Sequence, residues 1–477
     1  MNSQKKNTPT NTRRQFLAWF GGTGITSLVF PTILWEKIQD ENDQQVTVDM
    51  IIEASRLADL EFTREEQKAM VEGVNKSLTT IDEIHDFHID NSIPPPLYFN
   101  PLVSGVILDT NEKPFRPTVP SGIGRPNDLE EVAFWPLTHL AKLIETRQVS
   151  AIELTKMYLN RLQQYNPILN CVVTLTTKRA LKQAKLVDKD LAKGHYRGIL
   201  HGIPWGAKDI ISARGYKTTW GAAPFQEQKF DYDATVVERL DQAGAVLIAK
   251  LTTGELAFGD KWFGGRTNNP WEPKQGSSGS SAGSAAATAA GLVAFAIGTD
   301  TGGSILHPSI RCGVVGLRPT FGRVSRFGVM AASFSLDKIG PMCRTAEDCA
   351  IVLYSIAGPD GKDLAVSNAI PFNWDAGIDV NSLKVGYFEK AFSEGSDKEE
   401  NLNNELMLKT IKQSGIKPKP VSLPKNKLTY FIEFVERAAA FDEFARTRQD
   451  KGLNAYSDEK WDPKTALRVS HLVPAVE

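Results

Sequence analysis

The sequence predicts an α/β protein with a mixed or mainly parallel sheet. Two observations carry this. From Trp135 onward, short apolar runs of strand length alternate with longer segments of helical period. Two of those runs, Val246-Leu-Ile-Ala-Lys250 and Val293-Ala-Phe-Ala-Ile-Gly298, read as buried strands.

The elements follow in order. Residues 47–90 are helical in pattern. Asp49-Met-Ile-Ile-Glu-Ala-Ser-Arg-Leu-Ala repeats its apolar residues at three and four, and Thr63-Arg-Glu-Glu has the S/T-x-x-E form of a capped helix start. Three consecutive prolines after Ile93 end any helix, because each lacks an N–H and fixes its φ. Residues 91–131, rich in Pro, Gly and Asn, read as an extended wrapping segment or linker. Thr138 to Gln164 is amphipathic, with Leu140, Ile144, Leu154, Tyr158 and Leu162 near helical spacing. A strand over Asn170–Thr176 and a helix over Lys178–Lys193 follow, and residues 383–388 read as a late strand before a helix from about Asn401.

The 477 residues permit two or three domains at ~150 residues each. Hydrophobic content of 41% and charged content of 23% suffice to bury a core. The 55 basic and 56 acidic side chains leave a net charge of −1, without the basic excess of a nucleic-acid binder. Cys171, Cys312, Cys343 and Cys349 are too few and too irregular for a disulfide scaffold, so buried free thiols are expected, with a Cys343–Cys349 pair as the alternative. His85 and His88 lie three apart with no further ligand pattern, so no metal site is expected.

The N-terminus reads as an address. Arg13-Arg14 precedes an uncharged stretch that runs to Glu36, the form of a twin-arginine export signal. Export with cleavage comes first, to the periplasm or envelope of a bacterium. An uncleaved anchor making the only membrane contact comes second, and a cytoplasmic protein third.

Three segments carry chemistry. In Gly202-Ile-Pro-Trp-Gly-Ala-Lys208-Asp209-Ile-Ile211 a lysine sits inside an apolar run. A lone lysine is ordinarily a solvated surface group, but burial here would lower its pKa and let the neutral amine accept a proton. In Gly276-Ser-Ser-Gly-Ser280-Ser-Ala-Gly-Ser-Ala-Ala-Ala-Thr-Ala-Ala-Gly291, the alanine run argues for a tightly packed helix rather than a flexible linker. The G-x-S-x-G centred on Ser281 resembles a nucleophile elbow, but the polar, proline-broken stretch before it is not the strand an elbow needs. In Gly298-Thr-Asp-Thr-Gly-Gly-Ser304 a strand runs into two glycines and a serine; the glycines allow a backbone nest of N–H groups beside a nucleophile.

Together these ordered motifs, with Cys312-Gly-Val-Val-Gly-Leu-Arg-Pro-Thr320-Phe-Gly-Arg after them, resemble the amidase signature family, from about Trp135 to Arg323 and beyond. Its members include fatty acid amide hydrolase, bacterial amidases and the amidase subunit of the tRNA-dependent amidotransferase. The resemblance implies an α/β/α fold with a central twisted mixed sheet flanked by helices, here with an N-terminal helical extension. It implies Lys208 as base, Ser280 as a relay preceded by a cis peptide bond, and Ser304 as nucleophile. Backbone oxyanion donors fall on Thr301, Gly302, Gly303 and Ser304. The implied substrate is a small or peptidic amide, with no cofactor and no nucleic acid. The implied division is a signal or anchor over 1–35, an extension over 36–131 expected to pack against the amidase core, and an amidase domain over 132–477 that ends earlier than family members do. Two residues depart from the family pattern. Leu306 stands in place of an arginine, which removes an expected ion pair to an acid such as Asp300. His307 stands in place of an apolar residue, as a substitute base or as a pocket or surface histidine.

Overall fold

The computed structural model describes residues 45–85, 105–368, 370–393, 398–422, 431–454 and 463–473. The segment read as an export signal lies outside them. The chain divides into two compact units.

The larger unit is built on a six-stranded sheet of β1 (Val172–Leu175), β2 (Pro204–Lys208), β3 (Val246–Leu251), β4 (Phe295–Asp300), β5 (Val315–Gly316) and β6 (Lys338–Cys343). Their spatial order is β1-β3-β2-β4-β6-β5. β3, β2 and β4 run parallel, while β1, β6 and β5 pair antiparallel at the two sides, so the sheet is mixed. The central strands are buried along their whole length, which is why they read as unbroken apolar runs. Trp205 of β2 pairs with Phe295 of β4, and their rings stack 5.9 Å apart at 6°.

Flanking the sheet are α1 (Leu137–Glu145), α2 (Ala151–Leu169), α3 (Thr177–Ala192), α4 (Thr235–Gln242), α5 (Ala282–Ala289), α6 (Leu306–Cys312) and α7 (Ala346–Ile356). The stretch read as continuous from Thr138 to Gln164 is two helices. Arg147 takes a left-handed φ of 58° after α1, and Ser150 then opens α2 with a reciprocal capping box to Glu153. That S-x-x-E signal was present in the sequence, but helical periodicity on both sides hid it. The alanine-rich run forms α5, whose residues from Ala282 to Thr288 are all buried. A Cβ on Gly283 would stand 2.4 Å from the Thr252 backbone nitrogen, so only a small residue lets α5 lie this close to the chain leaving β3.

All four cysteines are buried free thiols. Burial pushes the thiols of Cys171 and Cys312 up to about 12, which makes them inert at neutral pH.

The smaller unit joins the helices Val48–Leu57 and Arg64–His85 to Asp442–Arg446 and Pro463–Ser470. Its core is Ile51, Met70 and Val469. Thr63 and Glu66 exchange hydrogen bonds at 2.8 and 3.3 Å, the cap expected from the sequence. Arg468 reaches both Asp450 and Glu66, at 2.6 and 2.7 Å, and so ties early and late parts of the chain together within this unit.

Candidate active site

Lys208 is the last residue of β2 and has no solvent exposure. Its neighbours on that strand are apolar or glycine, so the strand carries it into the sheet rather than to the surface. Its Nζ donates to Ser280 Oγ at 2.8 Å and to Thr299 Oγ1 at 2.8 Å. Burial is the main influence on the amine and pulls its pKa down to about 7, against the opposing attraction of Asp300 and Asp337. A lysine with that pKa is neutral in a large fraction of molecules at physiological pH, which a surface lysine is not.

Ser280 lies just ahead of α5, buried, and the Gly279–Ser280 peptide bond is cis. A Cβ on Gly279 would stand 1.8 Å from the Gly259 carbonyl oxygen, so no larger residue fits before Ser280. Ser281 is spoken for. Its hydroxyl donates to the Thr299 carbonyl at 3.0 Å and accepts the Thr299 N–H at 3.1 Å, which ties the start of α5 to β4. It therefore does not cap its own helix, and no strand precedes it. This is not the strand–turn–helix of an elbow.

Ser304 follows β4 through the turn of Thr301, Gly302 and Gly303. Its carbonyl accepts the Ser281 N–H at 3.1 Å, which joins the Ser304 segment to the Ser280–Ser281 segment. Gly303 has a φ of 118°, and a Cβ there would lie 2.7 Å from the His307 ring, so glycine is required on both counts. Its N–H donates to Asp300 Oδ1 at 2.9 Å, while Ile305 N–H donates to Oδ2 at 2.8 Å. Asp300 thus shapes the nest from within. Because the Gly303 N–H is already engaged, the expected set of oxyanion donors narrows to Thr301, Gly302 and Ser304.

Leu306 does occupy the position of the missing arginine, yet Asp300 keeps a cationic neighbour. Arg318 Nη1 lies 3.5 Å from Asp300 Oδ1. Leu306 offers no ion pair from that position, and a guanidinium from elsewhere in the chain approaches the same carboxylate instead. His307 is exposed on α6, with its ring over Gly303.

Sequence reasoning missed Thr299. It sits inside β4, where period and propensity make it one more strand residue, and only the fold turns its hydroxyl toward Lys208. Asp337 was missed too. It accepts the Thr301 hydroxyl at 2.6 Å and the N–H groups of Ala332 and Ser333 at 2.8 and 3.0 Å, pinning the segment beside the nest.

Known proteins resemble this chain in sequence and in fold. A glutamyl-tRNA(Gln) amidotransferase subunit from Methylococcus capsulatus is 43% identical over 266 residues, covering 55% of each chain. The corresponding subunit from Coxiella burnetii is 41% identical over 293 residues, covering 60% of each. The chain thus matches 55 to 60% of the length of these relatives. Among solved structures, a peptide amidase bound to the inhibitor chymostatin superposes with a TM-score of 0.59 at 32% identity, over 67% of this chain and 69% of that one. Native peptide amidase from Stenotrophomonas maltophilia gives 0.61 at 29%, over 71% and 75%. The family model described as Amidase matches residues 153–476, which include Lys208, Ser280 and Ser304 as well as the sheet that carries them. On the strength of that match over most of its length, the chain belongs to the amidase family.

Proposed function

We propose that the protein hydrolyses carbon–nitrogen amide bonds through an acyl-enzyme on Ser304. The observation that carries this is the dry amine of Lys208, 2.8 Å from the Ser280 hydroxyl and held near neutrality. A serine hydroxyl is a weak nucleophile until a base takes its proton. In this reading, neutral Lys208 accepts the Ser280 proton as Ser280 accepts that of Ser304, and Ser304 Oγ bonds to the amide carbon. The negative charge that develops on the carbonyl oxygen is met by the N–H groups of Thr301, Gly302 and Ser304. The proton returns through Ser280 to the departing nitrogen, the C–N bond breaks, and ammonia or an amine leaves. Water, deprotonated along the same path, then releases the acid. No cofactor enters any step.

Labelling with a fluorophosphonate tests the reading. Label is expected on Ser304, at a rate about 10²–10⁴-fold lower in a Lys208→Ala variant. Label on Ser281, or none on either serine, overturns it.

A second reading, one component of a tRNA-dependent amidotransferase, is favoured by the relatives from Methylococcus and Coxiella. Co-purification of tagged protein with further subunits would support it. An inactive relative with a binding role is the third reading, favoured if Ser304→Ala changes no turnover. The substrate is a small or peptidic amide. We also propose export by the twin-arginine route, on the basis of Arg13-Arg14 and the uncharged stretch after them. Changing both arginines to lysine should hold a reporter fused after residue 44 in the cytoplasm. The proposed division is an address over 1–35, an extension over 36–131 and an amidase domain over 132–477.

A further inference from the structure

Beside the nest lies a cavity of about 110 Å³. Ile210, Val329, Met330 and Ile339 give it apolar walls, and Thr301 brings it to the oxyanion turn. Three ionisable side chains line it: Arg326, Asp337 and Lys338. Two of them are already satisfied. Arg326 clasps Asp363 through Nε at 2.7 Å and Nη2 at 3.0 Å. Asp337 holds the Thr301 hydroxyl and two backbone N–H groups.

Lys338 differs. It opens β6 as the register partner of Asp300, the residue that ends β4 just before the nest. Its Nζ donates to the Thr301 carbonyl at 3.2 Å, and among the described residues it forms no ion pair. The acids around it are engaged elsewhere. Asp300 accepts the N–H groups of Gly303 and Ile305 and faces Arg318, and Glu433 pairs with Arg437 at 2.7 Å. An ammonium carries three donors, so one bond to a carbonyl leaves two to fill. Burial is the largest influence on Lys338 and lowers its pKa, against the attraction of Asp300, Asp337 and Glu433.

We propose that Lys338 is a specificity-determining residue that receives a carboxylate of the substrate, so that the site prefers amides bearing a negative charge a few bonds from the scissile carbonyl. The apolar walls fit the short carbon chain between the two groups. This rests on the amide-hydrolase reading for the position of the scissile carbonyl, but not for the binding of the anion.

Two measurements on the full chain test it. In the first, kcat/KM is compared for succinamate and for neutral butyramide. Wild type should prefer succinamate, and Lys338→Met should cut the succinamate-to-butyramide ratio roughly tenfold or more, mainly through KM. Lys338→Arg should restore much of it. In the second, calorimetry measures succinamate binding to Ser304→Ala and to Ser304→Ala/Lys338→Met, with binding roughly tenfold weaker expected in the double variant. A ratio unchanged by Lys338→Met, with both substrates losing alike, would make Lys338 a mere support of the Thr301 carbonyl and overturn the inference. So would equal binding by the two Ser304→Ala forms. Anion binding that depends on Lys338 without turnover of either amide would instead sink the catalytic reading and leave this one standing.

Discussion

The ends of β2 and β3 each carry a lysine with no solvent exposure, and the two have opposite company. Lys250 meets the Asp209 carboxylate at 2.6 Å and also donates to Thr218 Oγ1 and the Lys217 carbonyl. Asp209 in turn accepts the N–H and hydroxyl of Thr219. Lys208, on the neighbouring strand, meets only hydroxyls, and its acids Asp300 and Asp337 act at a distance. Burial lowers the pKa of both, but at Lys250 the charge and hydrogen bonding of Asp209 oppose it directly. The difference teaches that burial alone does not make a lysine a base. A buried ammonium paired to a carboxylate is a structural post, while a buried amine among hydroxyls is free to trade protons.

The largest expected effect breaks the catalytic half of this comparison. Lys208→Ala should slow acylation of Ser304 by about 10²–10⁴-fold, the usual worth of a positioned general base, read from the rate of fluorophosphonate labelling. His307→Ala should change it no more than a few-fold, since that exposed imidazole has no place in the hydroxyl chain. The reverse pair of results would make His307 the base and Lys208 a second structural lysine.

The next effect falls on the structural half. Lys250→Met leaves Asp209 as a buried charge without its cation, and should cost about 3–5 kcal/mol in chemical denaturation. Lys208→Met strands no charge. It leaves only two hydroxyls short of a partner, so its cost should stay within about 1–3 kcal/mol. Equal losses in the two variants would mean that Lys208, too, is held as an ion.

From the sequence these two lysines were not equally legible. Lys208 sits inside the apolar run Gly202–Ile211 and Lys250 closes the run Val246–Lys250, read as a buried strand, so the local pattern marks neither as a base. What set Lys208 apart was the order of motifs, with the Gly/Ser stretch and Gly-Thr-Asp-Thr-Gly-Gly-Ser304 at family spacing. The central strands and the alanine helix were legible because burial on every side leaves continuous apolar or small-residue runs. The break at Arg147 was not, because a left-handed residue between two helices of similar amphipathicity leaves the period almost undisturbed. The approach of Arg318 to Asp300 and the turn of Thr299 toward Lys208 depend on strands brought together from distant sequence. A motif names its own residues and says nothing of the neighbours that the sheet supplies.

A third effect sharpens the comparison through pH. If neutral Lys208 is the acting base, kcat/KM should rise with pH, about tenfold per unit, and level off above about 7, following the free amine. The sign follows from the role: protonation on the acid side removes the base. A profile flat from pH 5 to 9 would mean that this amine does not titrate in the working enzyme.

The smallest effect concerns Thr299, which shares the Lys208 amine with Ser280. Its hydroxyl sits 2.8 Å from Nζ, as close as the Ser280 hydroxyl. Thr299→Val keeps the shape and the β-branch that the strand favours but removes the oxygen. Losing one hydrogen bond of about 0.5–1.5 kcal/mol should lower kcat/KM by about 2–10-fold. The two states of the amine do not suffer equally. A hydroxyl that accepts from Nζ stabilises the ammonium more than the amine, so its loss should also move the acid limb of the pH profile downward. Thr299→Ser restores the oxygen without the methyl and should return the limb toward the wild-type position, even if packing losses lower the plateau. A limb unmoved in Thr299→Val, with only the plateau reduced, would show that Thr299 packs beside the base without tuning it.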